Sequence, residues 1–254
     1  MFILCLDHSV EEPPFSKIDN LILIPLHSLE SFYPSLRKIR STRKWESYVG
    51  TVKPFFLRYL LEFYAADQVA MVDSDMLFLG PVSEIEVAMA ATGLMVISRE
   101  IDPPSKSGYF NDGFVAASAA GLSFLEWWCS RCADWCEWME IGPDGAFQAE
   151  GYLNILHDDP DRFPDAKWIK NPGINLAPWN AQWHHLSSTA DGILVDGVHP
   201  LICYHYRGFQ DHSKPFLEDV TIGKEYVDLL HRPYYRLLCK AADEFQERRP
   251  GNAG

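Results

Sequence analysis

A chain of 254 residues, 47% hydrophobic and 22% charged, is long enough to bury a sizeable core and has the composition of a soluble globular domain. Its net charge of -13 argues against non-specific binding to nucleic acid or to an anionic membrane surface. A charged small substrate stays open, because a metal and a few placed Lys or Arg residues can invert the local field.

Phe2 to Leu6 and Leu21 to Pro25 read as two short strands separated by a proline-rich turn at Pro13-Pro14. Leu26 to Thr42 is polar and helical or looped, with Leu29, Phe32 and Leu36 spaced for one face. Lys53 to Tyr64 predicts a stronger helix: Phe55, Phe56, Tyr59, Leu60 and Phe63 recur at helical spacing, and Pro54 is acceptable in a first turn. A short buried strand is expected at Val69 to Val72, another at Leu94 to Ser98, and another at Gly113 to Ala117 after a turn at Asn111-Asp112-Gly113. Next come a helix over Leu122 to Glu140 and an element at Tyr152 to Leu156. Late strands at Ile193 to Val195 and Leu201 to Tyr206 precede a helical end from Tyr226 to Glu247. No apolar run reaches the roughly 20 residues of a membrane span. Met1 to Leu6 meets Asp7-His8 too soon for a signal peptide, so a cytoplasmic protein is expected. Without repeats or a low-complexity linker, residues 1–247 are expected to form one domain and residues 248–254 a flexible tail. The alternation implies an α/β fold with a mixed sheet, helices around it and ligands bound at strand ends.

Cys129, Cys132 and Cys136 form a C-x2-C-x3-C spacing that superficially suggests a metal site. The surrounding pattern is helical, all three thiols fall on one face, and no fourth ligand is evident, so core packing is the better reading.

Asp73 and Asp75 stand two residues apart at the end of the Val69–Val72 run and point the same way if the strand continues. Two like charges side by side are costly to bury unless a cation or strong donors share them. A divalent ion suited to hard oxygen ligands, Mg2+ or Mn2+, is the economical explanation. The plainer alternative, two aspartates capping a loop or helix, is disfavoured by the apolar strand in front of them.

Several motifs then fall into one resemblance. Lys53-Pro54-Phe55-Phe56-Leu57-Arg58-Tyr59, Val72-Asp73-Ser74-Asp75-Met76, Phe110-Asn111-Asp112-Gly113, Asn171 to Asn180 and His205-Tyr206-Arg207-Gly208 resemble nucleotide-sugar glycosyltransferases of the GT-A fold group, in particular bacterial proteins related to family 8. The resemblance spans roughly residues 40–216, in order and spacing. It implies a GT-A-like, mostly parallel sheet and a metal-dependent enzyme using a nucleoside-diphosphate sugar, a UDP-sugar first. The acceptor would be a saccharide, a lipid-linked group or a protein. It maps the metal onto Asp73, Asp75 and His205, with Mn2+ or Mg2+ as cofactor. Such an ion neutralises the leaving diphosphate as a Lewis acid, and a neutral imidazole is a suitable third ligand. The alternative for His205 is a satisfied core histidine.

The same resemblance puts Arg58, Asp73, Ser74, Asn111, Gly208 and Lys214 on the donor side. Lys214-Pro215-Phe216 resembles a Lys-Pro-Trp motif, although farther from His205, and Gly208 would let the backbone approach the diphosphate. For Arg58 the alternative is a surface ion pair. Asp112 departs from the family's small residue there. Ala149-Glu150-Gly151 replaces an Asp-Gln pair that faces the reacting sugar, making Glu150 the first candidate for an acceptor-side catalytic group and Asp112 the second. A solvated helix cap is the alternative for Glu150. Retention or inversion of configuration stays open. Relatives also have an earlier strand carrying the base-gripping loop, so nucleotide binding is rebuilt here, a segment is missing, or transfer is lost. A catalytically degenerate binding or scaffold subunit is therefore one rival. An aspartate-nucleophile phosphatase with His157-Asp158-Asp159-Pro160-Asp161 as its second motif is another, although Met76-Leu77 after Asp75 departs from that pattern.

Overall fold

The structure, a computed structural model, describes residues 1–6, 19–90, 92–99, 106–208 and 223–247. A parallel pair, β1 (Phe2–Cys5) and β2 (Ile22–Pro25), leads into helices α1 (Leu26–Phe32), α2 (Ser35–Thr42) and α3 (Trp45–Phe63). Strands β3 (Gln68–Val72) and β4 (Met76–Phe78), helix α4 (Ser83–Ala90), strands β5 (Leu94–Ser98) and β6 (Phe110–Ser118) and helix α5 (Leu122–Asp134) follow. A 3-10 turn at Glu150–Asn154 and helix α6 (Ile155–Asp158) precede β7 (Ala166–Ile169), β8 (Leu186–Thr189), β9 (Gly192–Val195), β10 (His199–Pro200) and β11 (Cys203–His205). The chain then turns through α7 (Lys224–Tyr226) and a π-helical turn at Val227–His231 into α8 (Arg232–Glu247). The expected tail, residues 248–254, lies outside the described residues.

The architecture is mixed α/β, as expected. Its central sheet runs β3-β6-β5-β7 and is less parallel than expected: β3, β5 and β7 run the same way, but β6 is antiparallel to both neighbours, so β5 and β7 form the one parallel neighbouring pair in this sheet. Both faces of β5 and β6 are buried. Leu94, Val96, Val115 and Ala117 pack with Phe124, Leu125 and Trp128 of α5. Met95, Ile97, Phe114 and Ala116 pack with Ile85 and Met89 of α4 and with Ile202 and Cys203. Strands covered on both sides read as unbroken apolar runs, which is what Leu94 to Ser98 shows.

Four expectations are corrected. The strand before Asp73 is not buried on both sides: β3 is an edge strand of this sheet, with Val69 and Met71 partly buried and Gln68, Ala70 and Val72 exposed. The helix expected from Lys53 begins at Trp45, so Pro54 is in its interior. Buried Tyr48, Thr51, Val52 and Phe55 hold the turns on either side, and tertiary packing of this kind rather than propensity stabilises most helices. Phe32 does not share the buried face of Leu29 and Leu36; it is 40% exposed, edge-on to Tyr59 and Phe63. Helix α5 stops at Asp134, because Trp135 is extended, and Cys136 follows the helix. Cys129, Cys132 and Cys136 are nonetheless all buried free thiols, and burial pushes the Cys132 thiol well up.

His231 lies buried with its Nε2 3.2 Å from the Tyr204 hydroxyl. Burial pushes its pKa down from 6.5 to about 4. The unfolded chain binds this proton more tightly, so its contribution to stability is complete above the unfolded pKa and is lost as pH falls from 6.5 towards about 4. Urea unfolding at about pH 7 and about pH 5 is expected to show that loss, and His231→Gln to flatten the slope between them.

Candidate functional site

The chain leaves β3 at Val72, turns at Ser74-Asp75 and continues as β4. The Asp73 N–H donates to the Gly113 carbonyl (2.9 Å), and the Met76 N–H donates to the Asp73 carbonyl (3.2 Å). Strand β4 pairs antiparallel with β11, Met76 opposite His205, and the Tyr206 N–H donates to the Asp75 carbonyl (2.7 Å). This pairing sets His205 Nε2 3.1 Å from Asp75 Oδ1. One ligand atom each from Asp73, Asp75 and His205 lie within 4.8 Å of one another. The two carboxylates therefore converge through a turn, not through the two-residue period of a continuing strand. Burial pushes the Asp75 carboxyl up, but the contact with His205 outweighs it and holds the pKa below the usual carboxylate range.

Two cations that sequence reasoning missed complete the cluster. Lys53 Nζ, from the middle of α3, lies 2.9 Å from Asp73 Oδ1 and 3.1 Å from Asp112 Oδ1. Burial alone would lower its pKa; Asp112 and Asp73 outweigh that and raise it above the ordinary lysine range. Arg99, just past β5 and buried, forms an ion pair with Glu150 and donates to the Phe110 carbonyl (2.7 Å). Its guanidinium sits 5.3 Å from the centre of the Trp179 ring, whose indole N–H is buried without a partner among the described residues. Glu150 also accepts from Asn111 Nδ2 (3.3 Å). Glu150 is thus a buried, paired carboxylate and not a solvated helix cap; burial pushes its pKa up against the pull of Arg99. Asp73, Asp75, Asp112 and Glu150 set against Lys53 and Arg99 leave two negative charges beside His205, the charge that one divalent cation neutralises.

Strand β6 continues through Asn111-Asp112-Gly113, where a turn was expected, but its register with β5 shifts there, from Val96 opposite Val115 to Ile97 opposite Asn111. Gly113 serves close packing there: a Cβ would stand 2.6 Å from both His205 Cε1 and Asn111 Oδ1. The Asn171–Asn180 segment runs beside β11, with the Ile202 N–H donating to Gly173 O (2.7 Å) and the His205 N–H to Leu176 O (2.8 Å). It carries Asn175 to His205.

Ser74 is exposed in the turn, and Gly208 adopts φ +85°, the region that favours glycine. Lys214 lies outside the described residues. Arg58 pairs with Glu62 (2.9 Å) and Glu126 (3.0 Å) and lies over the Tyr33 ring, so its contacts are those of the ion-pair alternative. His157 to Asp161 are exposed.

No protein-family profile matches the chain. It is 29% identical over 225 residues to the uncharacterised protein YfnF of Bacillus subtilis (strain 168), covering 83% of this chain and 72% of that protein. It is 25% identical over 268 residues to the uncharacterised protein YfnD of the same strain, covering 98% and 83%. Among solved structures it is similar to a glycosyltransferase involved in glycosylation of the major capsid of PBCV-1, with TM-score 0.44 and 13% identity over 72% of this chain and 85% of that one. It is also similar to mouse xyloside xylosyltransferase 1 in its apo form, with TM-score 0.42 and 8% identity over 74% and 75%.

Proposed function

We propose that this chain is a GT-A-like glycosyltransferase that takes a sugar from a nucleoside-diphosphate sugar, a UDP-sugar first, to a saccharide, lipid-linked or protein acceptor. The observation that carries the reading is the convergence of Asp73, Asp75 and His205 beside the buried Arg99–Glu150 pair, in motifs that resemble those enzymes. Two carboxylates and an imidazole, in a cluster two charges short of neutrality, suit Mn2+ or Mg2+. When bound, such an ion supplies Lewis-acid stabilisation to the departing diphosphate.

The chain's own residues do the rest. Lys53 holds Asp73 and Asp112 in one arrangement. Ser74, Asn111, Gly208 and Lys214 complete the donor side, and Arg58 joins them only by leaving Glu62 and Glu126. Glu150 and Asp112 are the acceptor-side groups, Glu150 paired at rest with Arg99 and Asp112 sharing Lys53 with Asp73. The unpartnered indole N–H of Trp179 is a donor for a sugar oxygen.

Melting temperature measured across a panel of nucleotide sugars, with and without Mn2+, tests this. A ligand at 100 times its Kd stabilises the native state by about 2.7 kcal/mol. A stabilisation that requires both nucleotide and metal, followed by sugar transfer, is the expected result. Stabilisation without turnover identifies a binding subunit. Release of phosphate from simple esters, without an acceptor, identifies a phosphatase.

A further inference from the structure

We propose that Asn175 is a positioning residue that fixes the tautomer of His205 by holding a proton on Nδ1, so that Nε2, which faces Asp75, is the nitrogen open to a cation. The consequence for metal binding rests on the proposed function; the tautomer itself does not.

Groups with a single possible role settle the direction of each hydrogen bond. The backbone N–H of Gly113 can only donate, and it lies 3.0 Å from Asn111 Oδ1, so that atom is the amide oxygen. The other end of the same amide agrees, because it faces the carboxylate of Glu150 at 3.3 Å and must be the NH2. Asn175 approaches the Asn111 oxygen at 3.0 Å and must therefore offer its own NH2. Its oxygen is left facing His205 Nδ1 at 3.1 Å, which puts a proton on Nδ1. Nε2 lies 3.1 Å from Asp75 Oδ1, which can only accept, so it either carries a second proton or faces the carboxylate with a lone pair. Two acceptors in contact are costly to bury unless a cation lies between them.

The backbone supports this use of Asn175. Its φ is +61°, in the left-handed region where asparagine is among the few non-glycine residues at ease. Its N–H donates to Cys203 Sγ, which ties it to β11 two residues before His205. The chain Gly113–Asn111–Asn175–His205 thus links the Arg99–Glu150 pair to the proposed metal ligand through buried amides.

The experiment is long-range 1H–15N NMR of the histidine rings in metal-free protein at about pH 8, above the ordinary histidine pKa. His205→Gln assigns the His205 signals, and Mn2+ affinity is measured separately by calorimetry. Wild-type His205 is expected as the Nδ1–H tautomer. Asn175→Gly, which suits the positive φ, is expected to bring in the Nε2–H form and weaken Mn2+ binding about tenfold to a hundredfold, the usual effect of losing a partner that orients a metal ligand. Asn175→Asp, which keeps an acceptor for Nδ1–H, is expected to keep the wild-type tautomer. An Nε2–H tautomer in the wild-type protein overturns the proposal whether or not the variants fold. So does a folded Asn175→Gly variant with unchanged tautomer and Mn2+ affinity. The expected tautomer shift without Mn2+ binding by any form upholds the role of Asn175 and sinks the metal reading alone.

Discussion

Asp75→Ala is expected to abolish Mn2+-dependent stabilisation by nucleoside diphosphate and to lower transfer by about 10²–10³-fold, the scale at which one preorganised electrostatic group acts in a transition state. Asp75 is the ligand candidate whose loss disturbs the fold least. It sits in a turn, its side chain is partly exposed, and its carbonyl, which the substitution keeps, makes the backbone bond to Tyr206. Asp73→Asn should produce the same ligand phenotype with a larger stability cost, because Asp73 is also half of the clamp on Lys53. Circular dichroism separates the two effects, and calorimetry with Mn2+ and UDP reads the binding. Metal-dependent binding that survives in both variants removes these aspartates from the site. Equal loss in a folded Lys53→Met variant would instead show that positioning of Asp73, rather than its oxygen, is what the ligand needs.

The sequence carried the elements whose two faces share one environment. Strand β5 is apolar from Leu94 to Ile97 because both faces are buried, and its bounds match the expected Leu94 to Ser98. Strand β3 was harder, since its outward face is exposed and only its apolar composition is visible in the chain. Short elements whose partners are distant in sequence left little local signal: β4 is three residues long and exists by pairing with β11, more than 120 residues later. Strand β6 was truncated in the sequence reading because Asn-Asp-Gly has turn chemistry. Its glycine is needed instead for space beside His205.

The same division holds in the site. Asp73 and Asp75 stood out because their residue type and spacing imply a cation, His205 because the resemblance maps a third ligand onto it, and the structure brings their ligand atoms together. Lys53, Arg99 and Asn175 did not stand out, because nothing in a local window marks a lysine, arginine or asparagine as the partner of a distant side chain. Lys53 meets Asp112 across 59 positions, Arg99 meets Glu150 across 51 and Asn175 meets Asn111 across 64. A cation within an apolar helix, such as the half-buried Lys53, is nonetheless a usable signal, since lysine is almost never buried without a partner.

Arg99→Met is expected to destabilise the protein by about 3–5 kcal/mol, the cost of removing one member of a buried ion pair and leaving the other charge uncompensated. The guanidinium also covers the Trp179 ring and binds the Phe110 carbonyl, so no other described group can replace all of its contacts. Glu150→Gln should cost less, because the amide still accepts from Arg99 and Asn111. The double variant Arg99→Met/Glu150→Gln should recover part of the loss, since it removes both charges at once. Urea unfolding of the four proteins closes that cycle; additive costs would mean that the pair does not interact energetically. Activity then divides structure from chemistry. If Glu150 acts on the acceptor side, Glu150→Gln keeps donor binding and loses transfer by about 10²-fold or more. Wild-type turnover in the folded variant would leave the Arg99–Glu150 pair as a support for Asn111 and the His205 chain, and would pass the acceptor-side role to Asp112, which shares Lys53 with Asp73.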